Sequence, residues 1–188
     1  MLTGDVMYDI VLYACGCAER LASPEMQRWK TGEFALGTVH RAENTDNPAR
    51  LKSILSALAR ISREICPVVL PLHPRTRKYI ENLGISTDGI VVCEPVSYMD
   101  MLLLEHRARM ILTDSGGVQK EAYFAGVPCI TLRDETEWVE TLENGCNTLT
   151  GADAERIITA ARNAKKAGPW ISLYGSGDAG RRIVNELV

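Results

Sequence analysis

The chain has 188 residues, 46% hydrophobic and 24% charged, which suffices for one well-filled domain or two very small ones. Such a composition excludes disorder, collagen-like sequence and coiled coil. Twenty-one Lys and Arg against 24 Asp and Glu leave a formal charge of −3, with no basic excess to neutralise a nucleic-acid backbone. No apolar run reaches the roughly 20 residues that span a bilayer, so neither nucleic acid nor membrane is expected as a partner.

Residues 1–30 read as helical around Met7 to Leu21, with no strand before them. The first residues lack a basic segment and carry Asp5 and Asp9, a poor signal peptide, so a cytoplasmic protein is expected. The six cysteines (Cys15, Cys17, Cys66, Cys93, Cys129, Cys146) sit mostly in apolar stretches and read as reduced, buried side chains. Only Cys15 and Cys17 lie close together, and without a second cluster they predict no metal site.

From about residue 33 short apolar runs alternate with helical ones. Phe34 to Val39 is a predicted strand, and Asn47-Pro48 opens a helix whose face is Leu51, Ile54, Leu55, Leu58, Ile61 and Ile65. Val68 to Leu70 follows as a strand, and a polar helix from Arg75 to Leu83 stops at Gly84. Gly89 to Cys93 is the third strand, and Ser97 caps the next helix with Asp100 as its reciprocal partner. Met110 to Leu112 and Cys129 to Leu132 are strands four and five, flanking a short helix from Val118 to Ala125. Amphipathic helices over Val139 to Asn144 and Asp153 to Lys166 complete the series, and the tail holds a glycine-rich turn and a terminal helix. Strands joined by single helices imply parallel pairing, and continuous apolar strands imply helices on both sheet faces. The fold expected is α/β, a doubly wound, Rossmann-like parallel sheet.

Polar clusters follow every strand: His40 to Asn44, His73 to Arg75, Glu94-Pro95, Asp114 to Gly117 and Arg133 to Glu135. In an open α/β sheet that edge is where ligands bind. Asp114-Ser115-Gly116-Gly117 joins a buried strand to a helix N-terminus, where free N–H groups and the helix dipole favour an anion. Glu121 lies one turn on, where a carboxylate can accept from ribose hydroxyls. A plain strand-to-helix turn reads equally well, and Arg41 and Glu43 could simply pair with each other. His40 suits a diphosphate or a proton transfer, His73 is equally open, and His106, near a helix end, is assigned no function.

The run Thr38 to Asn44 (T-x-H-R-x-E-N), then Pro71 to Pro74, Glu94 to Tyr98, and Thr113 to Glu121 (T-D-S-G-G-x-Q-x-E) resembles the non-hydrolysing UDP-N-acetylglucosamine 2-epimerases. Gly126 to Glu137 and Tyr174 to Gly177 extend the likeness over nearly the whole chain. The resemblance implies the C-terminal domain of a glycosyltransferase-B-type pair. Residues 1–30 would then be a remnant of the N-terminal domain and its connection, 31–168 the UDP-binding domain, and 169–188 a tail helix crossing back. It implies Ser115, Gly116 and Gly117 at the UDP diphosphate, Glu121 at the ribose, Val96 and Met101 at the uracil, and His40 as the catalytic-site residue. Arg41, Glu43 and His73 match a second UDP-sugar site of bacterial members. Arg133 and Trp138 stay candidates without a role, the family often carrying Arg where Trp138 stands. Ser176 stands where an acidic residue is common.

The implied reaction interconverts UDP-GlcNAc and UDP-ManNAc, for surface polysaccharide precursors, by UDP elimination to a glycal and re-addition. Neither metal nor nicotinamide cofactor is involved. The proton-transferring carboxylates would belong to the missing N-terminal domain, so this chain alone would be inactive, and the full-length enzyme would be a homodimer. Thr136-Glu137-Trp138 also looks like relatives acting on UDP-2,3-diacetamido uronic acids. The other readings are a nucleotide-binding half of a glycosyltransferase, a non-catalytic UDP-sugar-binding fragment, and a hydrolysing epimerase.

Overall fold

A computed structural model describes residues 2–165 and 171–188. In chain order the elements are α1 (Val6–Leu21), α2 (Pro24–Gln27), β1 (Ala35–Thr38), α3 (Ala42–Thr45), α4 (Pro48–Glu64), β2 (Val68–Pro71), α5 (Pro74–Asn82) and β3 (Val91–Cys93). They continue with α6 (Tyr98–Arg107), β4 (Met110–Thr113), α7 (Gly116–Ala125), β5 (Cys129–Thr131), α8 (Val139–Glu143), β6 (Asn147–Leu149), α9 (Ala154–Asn163) and α10 (Ala179–Leu187). The strands form one six-stranded parallel sheet in the order β3-β2-β1-β4-β5-β6. This is the doubly wound Rossmann order, with its reversal between β1 and β4.

Side chains alternate across each strand, and in β1, β4, β5 and most of β2 both sets are buried, while the edge strands β3 and β6 are partly exposed. Ala35, Val68, Leu70, Met110, Leu112 and Ile130 face α4 and α9, whose apolar stripes hold Leu51, Ile54, Leu58, Ile157 and Ile158. Phe34, Leu36, Val69, Ile111 and Cys129 face the opposite layer, with Leu103 and Leu104 of α6 and Val118 and Ala122 of α7. Helices on both faces are why the strands read as continuous apolar runs.

Several boundaries differ from the sequence reading. Residues 42–45 form one helical turn instead of a loop, and Ser23 with Pro24 starts the unforeseen α2. Gly89, at φ +87°, belongs to the turn before β3, which shortens that strand. β6 was not foreseen: Asn147 and Thr148 hide it as a polar pair, and it forms because it pairs with β5. The last helix of the series ends at Asn163, while its expected end at Lys166 and the boundary at 168 lie outside the described residues.

The two ends of the chain meet over α7. The carbonyl of Tyr174 accepts from the Asp5 N–H at 3.0 Å, and Asp9 accepts from the Ala179 and Gly180 N–H groups at 3.1 and 2.8 Å. A Cβ on Gly175 would stand 2.9 Å from the Gly4 Cα, at a φ of +91°, so this crossing requires glycine. Below it, α1 buries Val11, Ala14 and Ala18 against Leu102 of α6. Ile10, Leu12 and Tyr13 on α1, with Ile183, Val184 and Leu187 on α10, stay exposed. Among the described residues no helix is long and apolar enough to cross a membrane.

Candidate functional site

The parallel sheet brings the carboxyl ends of β1 and β4 side by side, and one buried carboxylate ties them. Asp114 accepts from the His40 N–H (3.1 Å), the Arg41 N–H (3.0 Å) and the Asn44 side-chain amide (3.0 Å). The His40 ring nitrogen Nδ1 lies 3.4 Å from the same group. Beneath it the Thr38 and Thr113 hydroxyls hydrogen-bond at 2.5 Å. Sequence reading placed Asp114 in the right loop but missed this stapling role. Its one clue was an Asp directly after a buried strand.

Ser115 caps α7 by accepting from the Val118 N–H at 3.4 Å, which leaves the Gly116 and Gly117 N–H groups in the first turn without intrahelical carbonyls. Neither glycine has a positive φ. A Cβ on Gly116 would meet the Arg41 guanidinium and the Trp138 indole at 3.5 Å and the Glu137 carboxylate at 3.6 Å, ordinary contacts. On Gly117 it would meet nothing closer than 3.7 Å. The fold therefore does not need glycine at either position.

Four of the candidates line one cavity of about 270 Å³ above the ends of β1, β2 and β3: His40, His73, Val96 and Met101, with Pro71, Pro95 and Val118 completing the wall. His73 caps α5 through Nδ1, which accepts from the Arg75 N–H at 3.2 Å. Val96 and Met101 supply an apolar floor from the loop before α6 and its first turn. A larger cavity of about 740 Å³ opens against β6 and α9, and no candidate residue lines it.

Arg41 faces the α7 N-terminus instead of this cavity. The alternative of a simple Arg41–Glu43 pair is not found among the described residues. Glu43 accepts from Arg50 at 2.9 Å, and Arg50 also holds Asp134 at 2.7 Å and Asn44 at 3.0 Å, because α4 brings Arg50 under the loop.

On the other side of α7, Arg133 is buried and forms a two-pronged pair with Glu137 at 2.7 and 3.0 Å. The guanidinium pushes the Glu137 carboxyl down to about 2. Trp138 donates its indole N–H to the Gly116 carbonyl at 2.8 Å. The buried Lys120 ammonium, missed in the sequence, lies 4.4 Å from the Trp138 ring centre and 5.4 Å from that of Tyr174, and pairs with Asp5.

Glu121 is buried on the face of α7 turned to α6, where its carboxyl meets the Tyr98 hydroxyl and the Glu105 carboxyl. Burial raises Glu121 above the ordinary carboxylate range, while the hydrogen bonds from Tyr98 and Glu105 oppose the rise. Burial and the Glu121 charge push Tyr98 up to about 12. Ser97 caps α6 as expected, accepting from the Asp100 N–H at 3.2 Å. Asp100 completes the motif differently, accepting from the Ser97 hydroxyl at 2.8 Å and from the Ser23 N–H at 2.6 Å, which anchors α2. His106, assigned no function, contacts the Cys15 thiol at 2.7 Å, and burial lowers its pKa.

A family model described as UDP-N-acetylglucosamine 2-epimerase matches residues 1–188. A UDP-2,3-diacetamido-2,3-dideoxy-D-glucuronate 2-epimerase of Pseudomonas aeruginosa is 49% identical over 186 residues, covering 98% of this chain and 51% of that one. A UDP-N-acetylglucosamine 2-epimerase of Methanocaldococcus jannaschii is 44% identical over 163 residues, 82% of this chain and 44% of that one. The solved structure of a Methanocaldococcus jannaschii UDP-GlcNAc 2-epimerase in complex with UDP-GlcNAc and UDP superposes with a TM-score of 0.86 at 38% identity, covering 100% of this chain and 54% of that one. The chain thus spans about half the length of the relatives it matches.

Proposed function

The chain belongs to the UDP-N-acetylglucosamine 2-epimerase family, corresponds to its C-terminal half and has the glycosyltransferase-B-type fold of that half, and from this we propose that it is the UDP-binding domain of a UDP-sugar 2-epimerase. The observation that carries the proposal is the first turn of α7. Two glycines stand there in ordinary helical conformation, each costing about 1 kcal/mol against alanine, with no demand from the fold. A diphosphate approaching the N–H groups of Gly116 and Gly117 supplies the demand, since a Cβ would stand between it and the backbone.

In this reading the diphosphate lies on the α7 N-terminus with Ser115 and Arg41 beside it. The uracil occupies the cavity floored by Val96 and Met101, and Glu121 accepts from the ribose. His40, held by Asp114, adjoins the departing diphosphate as the catalytic residue of this domain. Glu43 and His73 remain proposed for a second UDP-sugar. Epimerisation proceeds by loss of the C2 proton as UDP departs, then re-addition with protonation on the opposite face. The helix N-terminus stabilises the leaving diphosphate. The carboxylates that move the proton come from the other half, so the chain alone is inactive. Its free cysteines fit a reducing, cytoplasmic setting, and the whole protein is proposed as a homodimer supplying surface polysaccharide precursors.

The proposed substrate is UDP-GlcNAc. A UDP-2,3-diacetamido uronic acid is the second reading, favoured by the 49% identity to the Pseudomonas aeruginosa relative and by Trp138 after Thr136-Glu137.

Calorimetry of UDP binding tests the domain assignment. Ser115→Ala and Glu121→Gln each weaken UDP by about 1 to 3 kcal/mol, and Gly117→Ala weakens it while raising thermal stability. Unchanged affinity in all three would remove the nucleotide assignment. Proton NMR in D2O, following C2 of either UDP-sugar with this chain alone and with the other half supplied, tests the reaction. Exchange by the isolated chain would overturn the division of labour.

A further inference from the structure

Glu105 sits near the end of α6, fully buried, and neither carboxyl oxygen has a hydrogen-bond partner among the described N–H and O–H groups. The group it faces is another carboxyl, Glu121. Around the pair stand the Cys15 thiol from α1, the Tyr98 hydroxyl from α6, the Cys129 thiol from β5 and Lys120 from α7. His106 is engaged by Cys15, and the Lys120 ammonium by Asp5. Among the described residues no cation pairs with Glu105. Two facing buried carboxyls cannot both ionise without cost, and one proton between them turns repulsion into a hydrogen bond.

We infer that Glu105 is a positioning residue of the nucleotide site: it keeps its proton, donates a hydrogen bond through it to Glu121, and holds that carboxylate turned to accept the two hydroxyls of a ribose. An ionised carboxylate has about four acceptor positions. Glu105 and the Tyr98 hydroxyl take positions on the protein side, which leaves others for the ligand. Burial and the neighbouring Glu121 charge both hold Glu105 well above the ordinary carboxylate range, in keeping with a retained proton. The inference rests on the nucleotide reading but adds a residue and a protonation state to it.

Calorimetric titration with UDP across pH, on the wild-type chain, Glu105→Gln and Glu105→Leu, tests it. Wild-type affinity falls once Glu105 ionises, approaching about tenfold per pH unit beyond the losses from UDP's own titrations. The Gln variant donates an N–H and cannot ionise, so it binds within about threefold of wild type at neutral pH and lacks this alkaline fall. The Leu variant offers no donor and binds about tenfold more weakly. Inorganic pyrophosphate, which has no ribose, binds all three alike at each pH. An alkaline fall in Glu105→Gln equal to wild type overturns the inference, as does wild-type UDP affinity in a folded Glu105→Leu. Should Leu not fold, the Gln comparison decides alone. No UDP binding by folded wild-type chain at any pH would overturn the nucleotide reading itself, and this inference with it.

Discussion

Asp114, just past β4, and Glu105, on the helix that leads into it, are both 0% exposed, yet the regions around them differ. At the β1–β4 edge, two backbone N–H groups and the Asn44 amide converge on Asp114. At the α6–α7 interface, no N–H or O–H group among the described residues donates to Glu105, and its carboxyl faces another, Glu121. A buried carboxylate surrounded by donors is part of the scaffold, because its desolvation is offset where it sits. A buried carboxyl without donors is tolerated only by keeping its proton, and that proton is available to a neighbour. Equal burial therefore says little until the partners are named.

The most severe way to break the comparison is Asp114→Ala, which strands the His40 and Arg41 N–H groups and the Asn44 amide. We expect a loss of about 3 to 5 kcal/mol in urea unfolding. A loss below about 1 kcal/mol would show that this edge is not held by the carboxylate.

Glu105→Gln should act in the opposite direction. Because the folded state raises the Glu105 pKa, it binds more protons than the unfolded chain once pH exceeds the unfolded value of about 4.3. Wild-type stability from this group is present below that value and is lost as pH rises through the raised folded pKa, at up to about 1.4 kcal/mol per pH unit. The Gln variant should lack this loss and become the more stable protein at higher pH. Thermal unfolding over a pH series measures the difference, and parallel curves would contradict a retained proton.

Ser115→Ala removes the α7 cap at the edge held by Asp114, with an expected loss of about 1 kcal/mol in chemical unfolding. The smallest effect belongs to Arg133→Met. Glu137, held at about 2 by Arg133, contributes stability present above its unfolded value and lost as pH falls toward 2. Since its side chain is 51% exposed, solvent reduces that contribution to a fraction of a kcal/mol. Carbon-13 NMR should instead show the carboxyl titrating in the ordinary range in the variant.

Much of the fold was legible because local pattern and capping chemistry agreed. The apolar face of α4, its Asn47 cap and the Ser97 cap of α6 all lie within a few residues of what they control, whereas the Ser115 cap, which starts α7 at Gly116 and not at the expected Val118, was not read. β6 was not legible, since Asn147 is in place because its amide carbonyl accepts from Thr131 on β5 at 2.8 Å, a contact 16 residues away. His40 and His73 were legible as members of strand-end clusters and Val96 and Met101 only through the family resemblance, but that the four line one cavity was not. Glu105 was invisible in the run Leu102-Leu103-Leu104-Glu105-His106-Arg107, which reads as a helix end with its charges in water. Burial came from α1 and α7 packing against α6.

By itself the sequence determined the alternation of strands and helices, the polar residues at each strand's carboxyl end, and the glycines at the start of α7. These depend on periodicity, turn chemistry and caps, which act over one or two turns of chain. Only the tertiary structure decided that β1 lies beside β4, so that His40 meets Asp114 across 74 residues, and that Glu105 faces Glu121 away from water. Strand order and the partners of a buried charge depend on which distant surfaces meet, and no local window of sequence contains that information.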